Sequence, residues 1–309
     1  MKILVTGGAG FIGSHIVESF QGKAQVRVLD NLRSGSEKNL SGFDCEFIEG
    51  SIMNRLTVRR ALRDIDFVFH LAAMVSVPES VEKPVVCHEI NVVATRTLLE
   101  EAVRAGVRKI IFSSSAAIYG DNPTVPKAET MQPEPKSPYA SSKLAGEVYC
   151  NVFSGRGLPT TCLRYFNVFG PRQDPKSQYA AAVPVFIHRA LKNQPITIFG
   201  DGEQTRDFIH VKDVVAANFF FAMESPDTGV FNVASGIGIS INELVKTVCH
   251  LTGSRSEIRY APGRAGDVKH SRASIEKICA AGFAPAESQQ ENLRQTIEFF
   301  RKLADTRVR

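Results

Sequence analysis

The chain has 309 residues, 43% of them hydrophobic, enough for one large core or two joined ones. Its net charge of +5, from 37 basic and 32 acidic residues spread evenly, is too mild to argue for nucleic-acid binding. No run of 18 apolar residues predicts a membrane span, and six scattered cysteines without a C-x-x-C pair and seven histidines without ligand spacing argue against disulfides and a metal centre.

The segment Met1-Lys2-Ile3-Leu4-Val5-Thr6 runs straight into a strand, which leaves no room for a signal peptide. With reduced thiols, this makes a cytoplasmic protein the expectation. The strand leads into Gly7-Gly8-Ala9-Gly10-Phe11-Ile12-Gly13 and a helical pattern over 11–20. Glycine permits a tight turn and lets backbone N–H groups approach a pyrophosphate at a helix N-terminus. Strand, glycines and helix in that order are the context a dinucleotide site requires. The second strand, 25–30, ends at Asp30, followed by Asn31. A carboxylate there accepts the adenosine ribose hydroxyls and repels a 2′-phosphate, favouring NAD over NADP. Arg33 is close enough in sequence to soften that preference.

Further strands are predicted over 45–49, 67–71, 109–113 and 160–164, and helices over 56–63, 91–105 and 139–153. Strands alternating with helices make an α/β fold, a doubly wound parallel (Rossmann) sheet, which binds ligands beyond the strand C-termini. Tyr139 and Lys143, four apart on the last helix, share one face. The ammonium favours phenolate, so the phenol can serve as a base below its free pKa of about 10. After about residue 166 the pattern loosens into turn-rich stretches such as Gly200-Asp201-Gly202. We therefore expect a dinucleotide domain over 1–166, rejoined by about 207–234, and a smaller C-terminal α/β substrate lobe over 167–309.

Several motifs together carry a family resemblance: Thr6 to Gly13, His70-Leu71-Ala72-Ala73, Asn91, Ser113-Ser114-Ser115, Tyr139 to Lys143, Arg164-Tyr165-Phe166-Asn167-Val168-Phe169-Gly170-Pro171, Arg206-Asp207-Phe208-Ile209-His210-Val211 and Gly263-Arg264-Ala265-Gly266-Asp267. Over almost its whole length the chain resembles the extended short-chain dehydrogenase/reductases, and within them the nucleotide-sugar 4-epimerases of the UDP-galactose 4-epimerase group.

The resemblance implies roles. Tyr139 would be the base and acid at the sugar 4-hydroxyl. Lys143 would lower its pKa and hold the nicotinamide ribose, and Ser115 would hydrogen-bond the same hydroxyl. The NAD site would comprise Gly7, Gly10, Phe11, Ile12, Gly13, Asp30, Asn31, Ser34, Gly35, Ser51, Ile52, Leu71, Ala72, Ala73, Asn91, Ser113, Tyr139, Lys143, Tyr165 and Phe166. Ser51 stands where many relatives carry an Asp that contacts adenine. The UDP-sugar would meet Ser115, Asn167, Ala181, Ala182, Thr197, Phe199, Arg206, Arg264, Asp267 and Ser271. The implied reaction oxidises C4, lets the 4-keto sugar turn over, and reduces its other face. NAD regenerated at every turnover should stay tightly bound. A sugar that must rotate is gripped weakly, so the diphosphate carries the affinity, a task suited to Arg206 and Arg264.

Two positions narrow the reaction. Related dehydratases and decarboxylases typically place an acid two residues before the Tyr119-Gly120 pair. Here that position is Ala117, in Ser115-Ala116-Ala117-Ile118-Tyr119-Gly120. In the family, the residue four after Asp267 borders the N-acetyl side of the sugar. Here it is Ser271, small enough to leave room, and Gln178-Tyr179-Ala180-Ala181-Ala182-Val183-Pro184 resembles the epimerases that accept acetylated sugars. The expectation is a UDP-hexose 4-epimerase acting on UDP-Glc/UDP-Gal and UDP-GlcNAc/UDP-GalNAc. The alternatives are a UDP-glucuronate 4-epimerase, a nucleotide-sugar dehydratase or decarboxylase, and a non-catalytic dinucleotide-binding protein. Helices 91–105 and 139–153 correspond to those that pair in family dimers, so a homodimer is expected.

Overall fold

The computed structural model describes residues 1–175, 181–263, 268–286 and 289–305. The first strands are β1 (Lys2–Thr6), β2 (Gln25–Asp30), β3 (Glu46–Glu49), β4 (Phe67–His70), β5 (Lys109–Ser115) and β6 (Thr160–Tyr165). They are followed by β7 (Asn167–Phe169), β8 (Ile196–Phe199), β9 (Thr205–His210), β10 (Gly229–Val233), β11 (Gly238–Ser240), β12 (Ile258–Ala261) and β13 (His270–Ser271). The helices are α1 (Phe11–Ser19), α2 (Arg55–Ala61), α3 (Val77–Glu82), α4 (Pro84–His88), α5 (Ala94–Ala105), α6 (Pro138–Ser154), α7 (Ala182–Leu191), α8 (Val211–Met223), α9 (Ile241–Thr252), α10 (Glu276–Ala280) and α11 (Gln289–Asp305).

Seven parallel strands form the central sheet in the order β10-β6-β5-β4-β1-β2-β3. The run Ile3-Leu4-Val5 in β1 is fully buried, because helices cover both faces of a parallel sheet. Ile3, Val5 and Phe69 pack with Ile16 of α1, Phe20 just after it, and Val214 and Phe221 of α8. On the opposite face Leu4, Val68 and Phe112 pack with Val58 of α2, Leu98 and Leu99 of α5, and Cys150 of α6. The order in which the chain adds strands reverses between β1 and β4, so the crevice opens beyond their C-terminal ends.

The C-terminal part adds two small sheets, β11-β9-β13 with β7 on β9, and β12-β8. They enclose a third core around Phe169, Ile187, Phe208 and Val245. From this region β10 returns to pair with β6, and α8 packs beside α1.

Two local departures matter for the site. The fifth strand runs on to Ser115 instead of stopping at 113, which carries the three serines along the sheet. The helix expected to begin at 91 is preceded by a π turn over Glu89–Val93 that continues α4 into α5. Such turns recur at functional sites, and this one holds Asn91.

Candidate active site

At the end of β1, Gly7 adopts φ +71°, and a methyl group there would sit 2.8 Å from Ala72 N. A methyl on Gly13 would fall 2.2 Å from Gly7 O. These contacts let the turn fold flat over β1 and bring α1 against it. No side chain caps α1 and its first turn holds no acid, so its positive end is left for an external anion. Asp30 is buried and braces the turn: one carboxylate oxygen accepts from Ala9 N at 3.0 Å and the other from Leu32 N at 2.8 Å. Burial raises its pKa, an effect opposed by the backbone N–H groups around it. Gly35 lies against the same turn, where a methyl would meet the Ala9 backbone at 2.8 Å. Asn31 Oδ1 accepts from Arg33 N, and Ser34 is exposed nearby. Beyond β3, Ser51 Oγ accepts from Met53 N at 3.1 Å and Ile52 is buried. A glycine cradle too tight for any Cβ, an uncapped helix N-terminus and a carboxylate at the end of β2 together fit a dinucleotide.

A buried relay links two walls of this crevice. Ala72 N donates to Thr6 Oγ1, which stands 2.7 Å from His70 Nδ1; His70 Nε2 stands 2.9 Å from Thr95 Oγ1, which donates to Asn91 O. With the Thr95 proton committed to that carbonyl, Nε2 carries the imidazole proton and Nδ1 accepts from Thr6. Burial, with Lys143 near, lowers His70 to about 3, so it stays neutral. Asn91 clamps Met74, accepting from its N–H at 2.7 Å and donating to its carbonyl at 2.9 Å. Leu71, Ala72 and Ala73 are thereby held between the relay and the Asn91 clamp. His70 has no ligand spacing in sequence, and its structural part depends on partners 25 and 64 residues away.

Ser137 caps α6 by accepting from Ala140 N, and Pro138 follows as a first helical residue whose missing N–H costs nothing. The helix brings Tyr139 and Lys143 beneath the end of β5, where Ser115 hydrogen-bonds the Tyr139 phenol. Lys143 is 5% exposed and its Nζ donates to Ser113 O at 2.7 Å, lying 5.9 Å from the Tyr139 ring centroid. The expected direction of the phenol's shift is reversed in the chain alone. Burial pushes Tyr139 up, opposed by Ser115, and pushes Lys143 down to about 8. Both charged forms lose hydration, and Lys143 turns its ammonium to a backbone carbonyl instead of the phenol oxygen.

The Ser113 and Tyr165 hydroxyls are 3.1 Å apart and join Asn218 in a buried network. Phe166 is buried at the end of β6 and Asn167 opens β7, its Nδ2 donating to Asp207 O at 2.9 Å. Arg206 and Ser271 face each other in the β9–β13 register. The neighbouring Asp207, fully buried, accepts from Ser235 N and Oγ, Gly236 N and Ala273 N, knotting β9 to β13 and to the chain beyond β10. Thr197 and Phe199 lie on β8, with Phe199 exposed, and Ala182 begins α7 directly after the extended Ala181. The predicted Arg264 and Asp267, and residues 178–180, lie outside the described residues. Ala117 sits in the short 3-10 turn after Ser115, its N–H bonded to Ser115 Oγ.

Residues 3–234 match the NAD dependent epimerase/dehydratase family. The UDP-glucose 4-epimerase of Mycolicibacterium smegmatis is 38% identical over 312 residues, covering 97% of this chain and 99% of its own. Among solved structures, the Thermotoga maritima UDP-glucose 4-epimerase with UDP-glucose superposes with a TM-score of 0.94 at 44% identity, covering 98% of this chain and 100% of that one. The Methanobrevibacter ruminantium UDP-N-acetylglucosamine 4-epimerase, in complex with UDP-N-acetylmuramic acid, gives 0.94 at 42%, covering 98% of both chains. A UDP-N-acetyl-α-D-glucosaminuronate decarboxylase of Bacillus cytotoxicus is also similar, 33% identical with 98% of both chains covered.

Proposed function

The chain belongs to the NAD dependent epimerase/dehydratase family, and from that premise we propose that it interconverts UDP-glucose with UDP-galactose and UDP-GlcNAc with UDP-GalNAc. It is a UDP-sugar 4-epimerase that works with NAD; the sugars and the residue roles are our reading. NAD, when bound, supplies the acceptor and donor of a hydride at sugar C4. The chain must bind, orient and move a proton.

Gly7, Gly10 and Gly13 with the α1 N-terminus would hold the pyrophosphate, Asp30 the adenosine ribose, and Lys143 the nicotinamide ribose. Tyr139 takes the proton of the 4-hydroxyl as the carbonyl forms and returns it on the way back, with Ser115 steadying the same oxygen. A phenol raised by burial is a poor base. The Ser115 hydroxyl opposes this rise, while the Lys143 ammonium, one helical turn away, is turned to Ser113 O. Arg206 and Arg264 would bind the diphosphate, Asn167 would contact the substrate, Asp267 would close the nucleotide pocket, and Thr197 and Phe199 would border the base. The sugar between them is left free to turn.

The observation that carries the reaction type is Ala117 in the turn directly after Ser115. A methyl group moves no proton, so the eliminations run by relatives with an acid there lack their catalyst. Ser271 carries the sugar choice. It pairs with Arg206 in the β9–β13 register, and a side chain this small would leave room for a 2-acetamido group. Ser271→Tyr tests this. We expect turnover of UDP-GlcNAc to fall at least about tenfold while UDP-glucose turnover is kept, because one well-placed steric change in a pocket is worth about 1–3 kcal/mol. Equal losses on both sugars would sink the assignment.

A further inference from the structure

Arg33 Nη2 donates to Glu79 Oε1 at 2.7 Å. These residues stand on opposite sides of the glycine turn. Arg33 follows β2, Glu79 lies on α3 beyond β4, and the strand order β4-β1-β2 puts the β1 turn between them. The loop that carries Arg33 is also fastened to that turn. Ser36 N and Asn39 Nδ2 both donate to Ala9 O, at 3.0 and 2.9 Å, and Gly35 packs on Ala9 too closely for a methyl group. The guanidinium is thus tied to α3, on the far side of the β1 turn from the strand that carries Asp30.

We propose that Glu79 determines cofactor specificity, by holding Arg33 so that it cannot pair with a 2′-phosphate at the adenosine ribose. The inference rests on the reading of Gly7–Gly13 and Asp30 as a dinucleotide site. A 2′-phosphate placed at Asp30 meets a carboxylate, and a nearby arginine is what accommodates such a group. Guanidinium matches phosphate geometry in two hydrogen bonds. Here that cation is already spent on Glu79, whose carboxyl is held below the usual range chiefly by the Arg33 bond, with Lys83 Nζ a second partner at 3.4 Å. An exposed ion pair of this kind contributes little to folding. Its removal should leave the fold in place and show itself at the site. Glu79 therefore matters through the arginine it occupies, which makes the double variant the decisive comparison.

The test incubates the purified protein with an equimolar excess of NAD and NADP until the bound ratio stops changing. Free nucleotide is removed, the protein is denatured, and both nucleotides are quantified by chromatography. Wild type should carry NAD almost alone. In Glu79→Ala the bound NADP-to-NAD ratio should rise by about tenfold, the size of one charge-assisted hydrogen bond gained. In Arg33→Ala/Glu79→Ala it should return to the wild-type value. An unchanged ratio in Glu79→Ala overturns the proposal, and so does an equal rise in the double variant, because the effect would then bypass Arg33. Wild type that binds neither nucleotide would overturn the dinucleotide site itself, and this inference with it.

Discussion

Tyr139 holds its hydroxyl where ionisation is resisted. Burial raises the phenol, and the lysine expected to oppose this faces Ser113 O instead. The Tyr139 and Lys143 pair was legible as a spacing of four on one helix, and Tyr139 lies within reach of Ser115. The sign of the shift was not legible, because it depends on how much of each group the fold buries. Glu147 and Asp207 were not legible at all as buried anchors. Glu147 receives Ser114 Oγ and two bonds from Arg164, joining α6, β5 and β6; its partners lie 33 and 17 residues away, beyond any local pattern. Tyr139→Phe tests the proposed proton shuttle. Losing the phenol oxygen proposed to shuttle the proton should lower kcat by about 10²–10⁴-fold, with the thermal midpoint moved by no more than a few degrees. Unaltered epimerisation by Tyr139→Phe, measured by product chromatography, would remove Tyr139 from the mechanism.

The elements that position these side chains are set by close approaches. Gly146, one turn beyond Lys143 on α6, lies against β5 so tightly that a methyl would stand 2.4 Å from the Phe112 ring. Phe112 is itself buried and cannot retreat freely. Gly146→Ala should therefore push α6 off the sheet, cost about 1–3 kcal/mol of stability, and lower kcat by drawing Tyr139 away from Ser115. Calorimetry and steady-state kinetics on one preparation check both. A variant as stable and as active as wild type would show that helix and strand tolerate being parted. The strands from β1 to β6 were readable because buried parallel strands are short apolar runs bounded by turn residues. Helices α3 and α4 were not: they are six and five residues long, begin around prolines, and are rich in valine, so neither period nor propensity marks them. The π turn before α5 escaped for the same reason, since a one-residue slip in the helical period leaves the apolar stripe nearly intact.

Across the whole molecule, the site is assembled from both ends of the described chain. Asp207 fastens the segments that carry Arg206 and Ser271 to the chain leaving β10, the edge strand of the nucleotide sheet. The lobe that would hold the UDP-sugar is thereby tied to the sheet that would hold the cofactor. Val85, Val93, Val103, Val148 and Val152 are exposed on the run from α4 to α5 and on α6. We propose that this apolar face pairs with a second copy, and light scattering should return twice the chain mass of 33.9 kDa; a monomer at micromolar concentration would contradict it. The measurement that bears most directly on the central claim is incubation of the purified protein with UDP-glucose, without added NAD, followed by chromatographic separation of the nucleotide sugars. The account predicts UDP-galactose as the sole new nucleotide sugar, formed until the two epimers reach equilibrium. A dehydrated 4-keto-6-deoxy product, or no conversion even after NAD is supplied, would contradict it.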